Sequence, residues 1–355
     1  MDVNTLSDLY RESLMISQGQ VSCTALSCMM ENTISHDKFT RLLSSGYMNE
    51  EYLWRSAKPI CHEIRNGDAV FIVDESMEAK PYTDENELIC WHYDHATGKH
   101  IKGVCMLTGL YHSEGMSVPA GVEFVTKPVR ALNKKGKSVR RSRESKNELF
   151  RKIISHAFCN LEFHYVLADS WFGNSENMKF IHQNHRGKFI FAIKSNRKVA
   201  LSPEDKINGR YTSIKSLRPE GRTQVVWVKQ LDFPLLITCK VFKNGDDTAA
   251  LYLASNDLNL SYEQITTIYQ KRWKVEEYHK SIKSNASFAK SPTRTIITQK
   301  SHFIASVSAF NRFELLKVRK NKNHFALKNY LNIVAMRKAR MELQQLLTPT
   351  FDKVA

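Results

Sequence analysis

The chain has 355 residues, of which 42% are hydrophobic and 25% are charged, so it can bury a sizeable core and is not a disordered tail. No apolar run approaches the roughly 18 residues that a membrane span needs, and the N-terminal residues lack the basic flank and apolar stretch of a signal peptide. We therefore expect a cytoplasmic protein with no membrane partner.

The net charge of +16 is concentrated in two blocks. From residue 261 onward there are 18 Lys and Arg against 6 Asp and Glu, and residues 127–152 contain 11 against 2. The first 60 residues, in contrast, contain 5 against 7. Two basic blocks favour a protein that neutralises a polyanion along one surface, while charge that only keeps the chain soluble is the alternative.

The seven cysteines are odd in number, and none lies in a CxxC pair. This pattern favours reduced, mostly buried thiols over a disulfide framework. Cys23, Cys28 and His36, or the neighbouring Cys61 and His62, would be candidate zinc ligands, but their spacing fits no recognised zinc pattern.

The first predicted elements are helical. Apolar residues recur at three- and four-residue spacing through residues 1–65. Residues 69–73 (AVFIV) then form a continuous apolar run after the turn signal Asn-Gly-Asp, which predicts a buried strand that ends at Asp74. Residues 88–93 and 101–110 flank a turn-like stretch and predict an antiparallel hairpin.

The middle of the chain alternates between helix and strand. Residues 133–143 are predicted as a basic loop that leads into a helix ending near Cys159, and residues 163–168 as a strand that ends at Asp169. A helix over residues 174–185 and a strand over residues 189–194 follow.

The last third begins with short β-type runs. Three of them, within residues 196–258, predict a small antiparallel β insertion: 225–228, 235–241 and 250–254. Ser261, with Gln264 three residues later, is a capping box that predicts the start of a long helix. The remainder, to about Leu347, is predicted to be helical and basic.

The chemical signal is two strands that each end in an aspartate, followed by a helix with a glutamate. Clustered carboxylates repel one another unless a cation compensates, and such hard oxygen ligands suit Mg²⁺ or Mn²⁺. Two such ions about 3.5–4 Å apart can activate a water and stabilise the leaving oxygen of a phosphodiester. For Asp74 or Asp169 taken alone, a turn former or helix cap is the alternative interpretation.

Four polar side chains would share one stripe of the predicted helix. At roughly 100° per residue, Tyr269, Arg272, Glu276 and Lys283 fall within about 60° of arc. This combination suits a metal-bound phosphodiester, with the carboxylate for the ion, the cations for phosphates and the aromatic ring for a base or sugar. A solvated face with intrahelical ion pairs is the alternative.

The stretch YQKRWKVEEYHKSIK resembles the Tyr-Arg-Glu-Lys signature of bacterial insertion-sequence transposases of insertion-sequence family four, within the DDE superfamily. The stretches VDES, with Asp74, and YVLADSWF, with Asp169, are similar to the two aspartate motifs of that group. The resemblance covers roughly residues 65–320. It departs from the group at Glu75, where many relatives have a second aspartate, and it assigns Asp74 as the ligand.

The resemblance implies an α/β fold: a ribonuclease-H-like mixed sheet flanked by helices, with the β insertion before the catalytic helix and helical regions at both ends. Asp74, Asp169 and Glu276 would be the catalytic residues and hold two Mg²⁺ ions, with Mn²⁺ as a possible substitute. The implied partner is DNA, both transposon ends and target, cleaved and joined by a homodimer associated with the bacterial nucleoid.

The same resemblance assigns DNA contacts to Tyr269, Arg272 and Lys283. Trp273 or Trp171 would hold a flipped base, with a buried core tryptophan as the alternative. Two other functions stay open: a ribonuclease-H-fold nuclease or resolvase without strand transfer, and a transposase-derived DNA-binding protein that has lost its chemistry.

The predicted domains are a helical region of residues 1–65, a catalytic domain of residues 66–320 and a basic helical region of residues 321–355. Residues 325–347 are amphipathic, with Leu327, Tyr330, Leu331, Val334 and Met336 near one side. Packing onto its own domain is the favoured role of this segment, and a dimer contact is the alternative.

Overall fold

The computed structural model describes residues 1–94, 97–244 and 247–347. They form two compact units, one of residues 50–279 and one of residues 1–49 together with those from 280 onward. The two units divide the chain at residues 49 and 279. This division into compact units does not test the predicted domain boundaries at residues 65 and 320, which stay a prediction. Among the described helices, none combines the length and apolar composition that crossing a bilayer requires.

The larger unit is built on a sheet of eleven strands. They are β1 (Val70–Ala79), β2 (Cys90–Asp94), β3 (Lys99–Ser113), β4 (Met116–Phe124), β7 (Tyr165–Ala168), β8 (Lys188–Ile193), β9 (Lys198–Ala200), β10 (Thr212–Ser213), β11 (Thr223–Val228), β12 (Pro234–Asn244) and β13 (Asp247–Ser255). A separate hairpin contains β5 (Val129–Leu132) and β6 (Ser138–Arg141).

The helices are divided between the units. Those of the larger unit are α4 (Glu50–Glu63), α5 (Lys146–Asn160), α6 (Ser175–Lys179), which continues into a π-helical turn (Phe180–Asn184), α7 (Pro203–Ile207), α8 (Ile214–Leu217), α9 (Tyr262–Gln270) and the start of α10 (Trp273–Asn285). Those of the smaller unit are α1 (Val3–Ile16), α2 (Cys23–Met29), α3 (His36–Ser44), α11 (Ile296–Lys320) and α12 (His324–Leu347). The first 65 residues are therefore helical as predicted.

The centre of the sheet has the strand order β4–β3–β1–β7–β8. β1 pairs antiparallel with β3, and β3 antiparallel with β4, whereas β1, β7 and β8 run parallel to one another. The strands of this parallel part are buried apolar runs, as expected for a sheet covered on both faces. This mixed α/β sheet flanked by helices confirms the predicted ribonuclease-H-like fold class.

One helix packs on the sheet through a close contact at β3. A Cβ atom at Gly109 would lie 2.4 Å from the Phe71 ring and 2.5 Å from a methyl group of Ile153 on α5. The glycine thus leaves room for α5 to approach the sheet closely. α5 begins at a capping box of Ser145 and Glu148, which confirms the predicted helix before Cys159.

The β insertion continues the main sheet instead of forming a separate one. All three predicted runs are strands, and β13 pairs antiparallel with β8 while β12 pairs with both β11 and β13. The prediction of a loop over residues 133–143 was wrong in part, because residues 138–141 form β6. The Asn133 side chain accepts hydrogen bonds from the backbone amides of Lys135 and Lys137, and this turn chemistry closes the hairpin.

The smaller unit balances the acidic N-terminal region with the basic C-terminal one. Arg312 on α11 forms ion pairs with Asp8 at 3.0 Å and Glu12 at 3.3 Å, both on α1. Lys328 on α12 donates hydrogen bonds to the Met15 and Ser17 carbonyls, and burial lowers the pKa of its ammonium group to about 8. Acidic residues of the N-terminal region are therefore paired with a basic residue of the same unit.

The predicted packing of residues 325–347 onto their own domain holds only for the start of α12. Leu327 is buried, Leu331 and Val334 are half-buried, and Tyr330 and Met336 are 56% and 64% exposed. The dimer contact stays a prediction.

The cysteines are all free thiols, as predicted. Cys61, Cys90, Cys105 and Cys239 are buried, Cys23 is half-buried, and Cys28 and Cys159 are exposed. Burial raises the pKa of the Cys61 and Cys105 thiols to about 12, so these two groups are packing residues and not nucleophiles.

Candidate active site

Asp74 lies inside a strand and not at its end. β1 continues to Ala79 because its second half pairs with β3, so the prediction that the strand ends at Asp74 was wrong. What does end there is the parallel pairing of β1 with β7, whose last partners are Val73 and Ala168. Asp74 and Asp169 each follow that last pair by one residue, which places both at the same edge of the parallel part of the sheet.

Glu75 faces away from this edge. Successive side chains of a strand point to opposite faces, and the Glu75 carboxylate forms an ion pair with Lys146 at 2.6 Å, at the start of α5. Its backbone amide donates a hydrogen bond of 2.8 Å to the Asp74 carboxylate. Of the two neighbouring acidic residues, Asp74 is therefore the one that faces α10, the helix that contains Glu276.

The helix that begins after Ser261 is interrupted. The capping box of Ser261 and Gln264 is present, but α9 ends at Gln270 and α10 starts at Trp273, so the prediction of one long helix was wrong. Arg272 lies in the break. Its guanidinium donates a 3.0 Å hydrogen bond to the Asp74 carboxylate and lies 3.4 Å from the Glu276 carboxylate.

α10 is anchored directly opposite Asp74. Thr108 is the cross-strand partner of Asp74, and its hydroxyl lies 3.4 Å from the hydroxyl of Tyr278 on α10. Val275 and Tyr278, three positions apart, are fully buried and form the inner face of the helix. Glu276, on the neighbouring face, is thereby held beside the strand that carries Asp74.

The Asp74 carboxyl has an unusual proton affinity. Burial raises its pKa to about 7, and the negative charges of Asp169 and Glu276 add to the shift, while the Arg272 guanidinium and the Glu75 amide oppose it. Asp74 is only 9% exposed. The site therefore contains a buried carboxylate whose ionisation at neutral pH depends on a neighbouring cation.

The Asp169 side chain stabilises the turn that follows it. Its carboxylate accepts hydrogen bonds from the backbone amides of Trp171 at 3.0 Å and Phe172 at 3.4 Å, as in the alternative interpretation of a turn former. It is half-buried and contributes charge to the shift at Asp74. The two interpretations of this aspartate are compatible. One carboxylate oxygen accepts the hydrogen bonds of the turn, while the negative charge of the group still acts on Asp74.

One group of potential metal-binding side chains is found within the described parts of the chain: Asp74, Glu276 and His279, with donor atoms that all lie within 4.8 Å of one another. His279 was not predicted from the sequence, although a glutamate and a histidine three residues apart on a helix form a known metal-binding spacing. The alternative zinc ligands around Cys23 and Cys61 form no such group in those parts.

The predicted DNA-contacting residues differ in exposure. Tyr269 is 5% exposed, and its hydroxyl donates a hydrogen bond of 3.3 Å to the Ala168 carbonyl, beside Asp169. Trp273 is 59% exposed, with the Arg272 guanidinium 5.7 Å from its ring, and Trp171 is 43% exposed. Neither tryptophan is a buried core residue. Lys283 lies further along α10 and belongs to the smaller unit.

A basic groove lies next to Asp169. This groove, a cavity of about 1040 Å³, begins at Ser170 and Trp171. Its cationic lining residues are Lys179, Lys194, Arg197, Lys198 and Lys229. The single acidic residue in the lining, Glu176, lies 3.5 Å from Arg151 in an ion pair. The two basic blocks of the sequence did not reveal this groove, because its cations come from three separate segments, at residues 179, 194–198 and 229.

Residues 136–312 match the family described as the transposase DDE domain. Among solved structures, the Drosophila P element transposase strand transfer complex is similar, with 10% identity, coverage of 91% of this chain and 82% of that chain, and a TM-score of 0.27. No curated protein matches the chain.

Proposed function

We propose that this chain, a DDE transposase by the match of residues 136–312, cleaves the ends of a transposon and joins them to target DNA. The observation that supports this reaction most strongly is the position of Asp74 and Glu276 beside one cation, with Asp169 at the same edge of the sheet. Membership in the insertion-sequence family four group, a homodimer that synapses two ends, and action at the bacterial nucleoid are part of the same proposal.

The donor set fits a divalent cation. Asp74 and Glu276 supply carboxylate oxygens. Burial is the main cause of the raised pKa of Asp74, the negative charges of Asp169 and Glu276 add to it, and Arg272 opposes this shift only in part. We propose Asp74, Asp169 and Glu276 as ligands of two Mg²⁺ ions, or Mn²⁺ in their place. When bound, the ions would activate the attacking water or hydroxyl and stabilise the leaving oxygen of the phosphodiester.

The chain's own residues orient these ligands. Asp74 is fixed on β1 by the pairing of this strand with β3, and Glu276 is fixed through the contact of Tyr278 with Thr108. Tyr269 holds the peptide before Asp169 through its hydrogen bond to Ala168, so we propose that it positions the ligand as well as lying near the transposon end. Preorganised ligands of this kind reduce the rearrangement needed at the moment of reaction.

DNA would approach from two sides of this edge. Arg272, Lys283 and the exposed ring of Trp273 are proposed to contact the transposon end, and the ring offers a stacking surface for a base. The basic groove beside Asp169 would bind the phosphates of a strand that leads into the site. Trp171, at the mouth of this groove, is the second candidate for base stacking.

Substitution of the three acidic residues tests the catalytic proposal. Asp74→Asn, Asp169→Asn and Glu276→Gln should each still bind transposon-end DNA in a gel-shift assay. Each should reduce metal-dependent strand cleavage on the order of 10³-fold, because a ligand of the ions is lost. Glu75→Gln is the matched control, since this carboxylate faces Lys146, and it should cleave normally. Full cleavage by any of the three variants would remove that residue from the mechanism.

The products distinguish transposition from plain nuclease activity. A transposase yields DNA in which the transposon end is joined to a target strand, whereas a nuclease or resolvase yields cuts alone. A chain that has lost its chemistry would bind the ends and produce neither. Sequencing the products of one reaction with labelled end DNA and a target plasmid separates these three functions.

A further inference from the structure

We propose that His279 is a direct ligand of the metal ion that Asp74 and Glu276 hold, an inference that rests on the proposed function. The imidazole nitrogen and the two carboxylate oxygens lie within 4.8 Å of one another. Donors on opposite sides of a single ion are separated by about 4.0–4.4 Å, twice the usual bond length. The Glu276 side chain is 47% exposed, so its carboxylate has room to adjust toward an ion shared with the other two donors.

The placement of His279 follows from the helix. Residues three apart on an α-helix project from the same face, one turn above the other, so Glu276 and His279 point to the same side of α10. Between them, Tyr278 is fully buried and bonded to Thr108, which lies across from Asp74 in the β1–β3 pair. The rotation of α10 about its axis is thereby fixed, and His279 is directed to the strand that carries Asp74.

A nitrogen donor alters which ion the site prefers. Mg²⁺ favours oxygen ligands and gives up its waters reluctantly, whereas transition-metal ions accept imidazole readily. A site with two carboxylates and one imidazole should therefore bind Mn²⁺ more tightly than Mg²⁺. A site of carboxylates alone would discriminate less between them. His279 is thus the residue that sets the metal selectivity of this centre.

Electron spin-echo spectroscopy of Mn²⁺ bound to the full chain tests the inference without reference to activity. A coordinated imidazole produces nitrogen modulation of the Mn²⁺ echo, and labelling the histidines with the heavier nitrogen isotope should change it. His279→Gln should abolish the modulation and raise the Kd for Mn²⁺ about tenfold or more, with a smaller change for Mg²⁺. His164→Gln, an exposed histidine of the same unit, is the matched control and should leave both unchanged.

The outcomes separate the two proposals. Mn²⁺ that binds and is lost with Asp74→Asn, but shows no nitrogen modulation in the unsubstituted protein, overturns the ligand role of His279 and leaves the proposed function intact. Modulation that persists in a folded His279→Gln also overturns it. If the unsubstituted protein binds no divalent ion and cleaves no DNA, the proposed function fails instead. An unsubstituted spectrum without nitrogen modulation overturns the ligand role even if the variant does not fold.

Discussion

The segments around Asp74 and Asp169 have the same sequence pattern, a buried apolar run followed by an aspartate, and yet differ in structure. At Asp74 the chain continues as β1, so the carboxylate is enclosed and depends on Arg272 for charge compensation. At Asp169 the chain leaves β7, and the carboxylate binds the backbone of its own turn. The pairing of the residues after each aspartate, and not the apolar run before it, therefore determines how far the carboxylate is enclosed.

The largest effect should come from removing the cation beside Asp74. The pKa of Asp74 is raised to about 7. The free energy of unfolding therefore falls as pH rises from the ordinary aspartate pKa to that value and levels off above it, and Arg272 limits this loss. Arg272→Ala should therefore lower the free energy of unfolding by about 3 kcal/mol at pH 8, where the carboxylate is charged. At pH 5, where it is protonated, the loss should be clearly smaller. Urea unfolding in chelator at both pH values measures the difference.

A double variant controls this experiment. In an Asp74→Asn background the carboxylate is absent, so Arg272→Ala should cost the same at pH 5 and pH 8. An equal cost at both pH values in the unsubstituted background would mean that Arg272 acts through packing. Asp74 and Asp169 would then not differ in their need for charge compensation.

The next effect concerns how tightly the turn after Asp169 lies against the sheet. A Cβ atom at Gly173 would lie 2.4 Å from the Ala192 carbonyl oxygen on β8, a backbone atom that cannot move aside. Gly173→Ala should lower the free energy of unfolding by about 1–3 kcal/mol, the usual cost of overpacking. Gly19→Ala, with no atom within 4 Å of its added Cβ, is the control. Equal midpoints in urea for both variants would show that the turn is loosely packed.

The smallest effect separates the two roles of Asp169. An asparagine still accepts the backbone hydrogen bonds from Trp171 and Phe172, whereas an alanine cannot. Asp169→Ala should therefore cost about 1 kcal/mol of stability more than Asp169→Asn, while both lose cleavage. Thermal unfolding and a cleavage assay of the two proteins measure this. Equal stability would show that the turn does not depend on the side chain.

The parts of the fold that local patterns determine were predictable. The apolar runs of β1, β7 and β8, the Ser261 capping box and the three runs of the insertion all form the predicted elements. The continuation of β1 to Ala79 was not predictable, because the segment DESMEA has no strand signal and pairs only through β3. Long-range pairing is not visible in a local window.

The candidate site was predictable in part for the same reason. The sequence placed aspartates after two apolar runs, and the fold brings both to one edge. The contact of Arg272 with Asp74 joins residues 198 positions apart in the chain, and no local propensity reports it. His279 could have been noticed from its spacing to Glu276, but only the approach of Asp74 gives that spacing a meaning.

The pairing of β13 with β8 constrains how this protein can be shortened. Deletion of residues 196–258 would strip β8 of its outer neighbour and leave a row of unsatisfied amides and carbonyls beside Phe189, Ile190 and Phe191, all fully buried in the intact chain. Exposed apolar edges of this kind invite pairing with other copies, so a trimmed version would aggregate. The β insertion thus covers the edge of β8 in addition to extending the sheet.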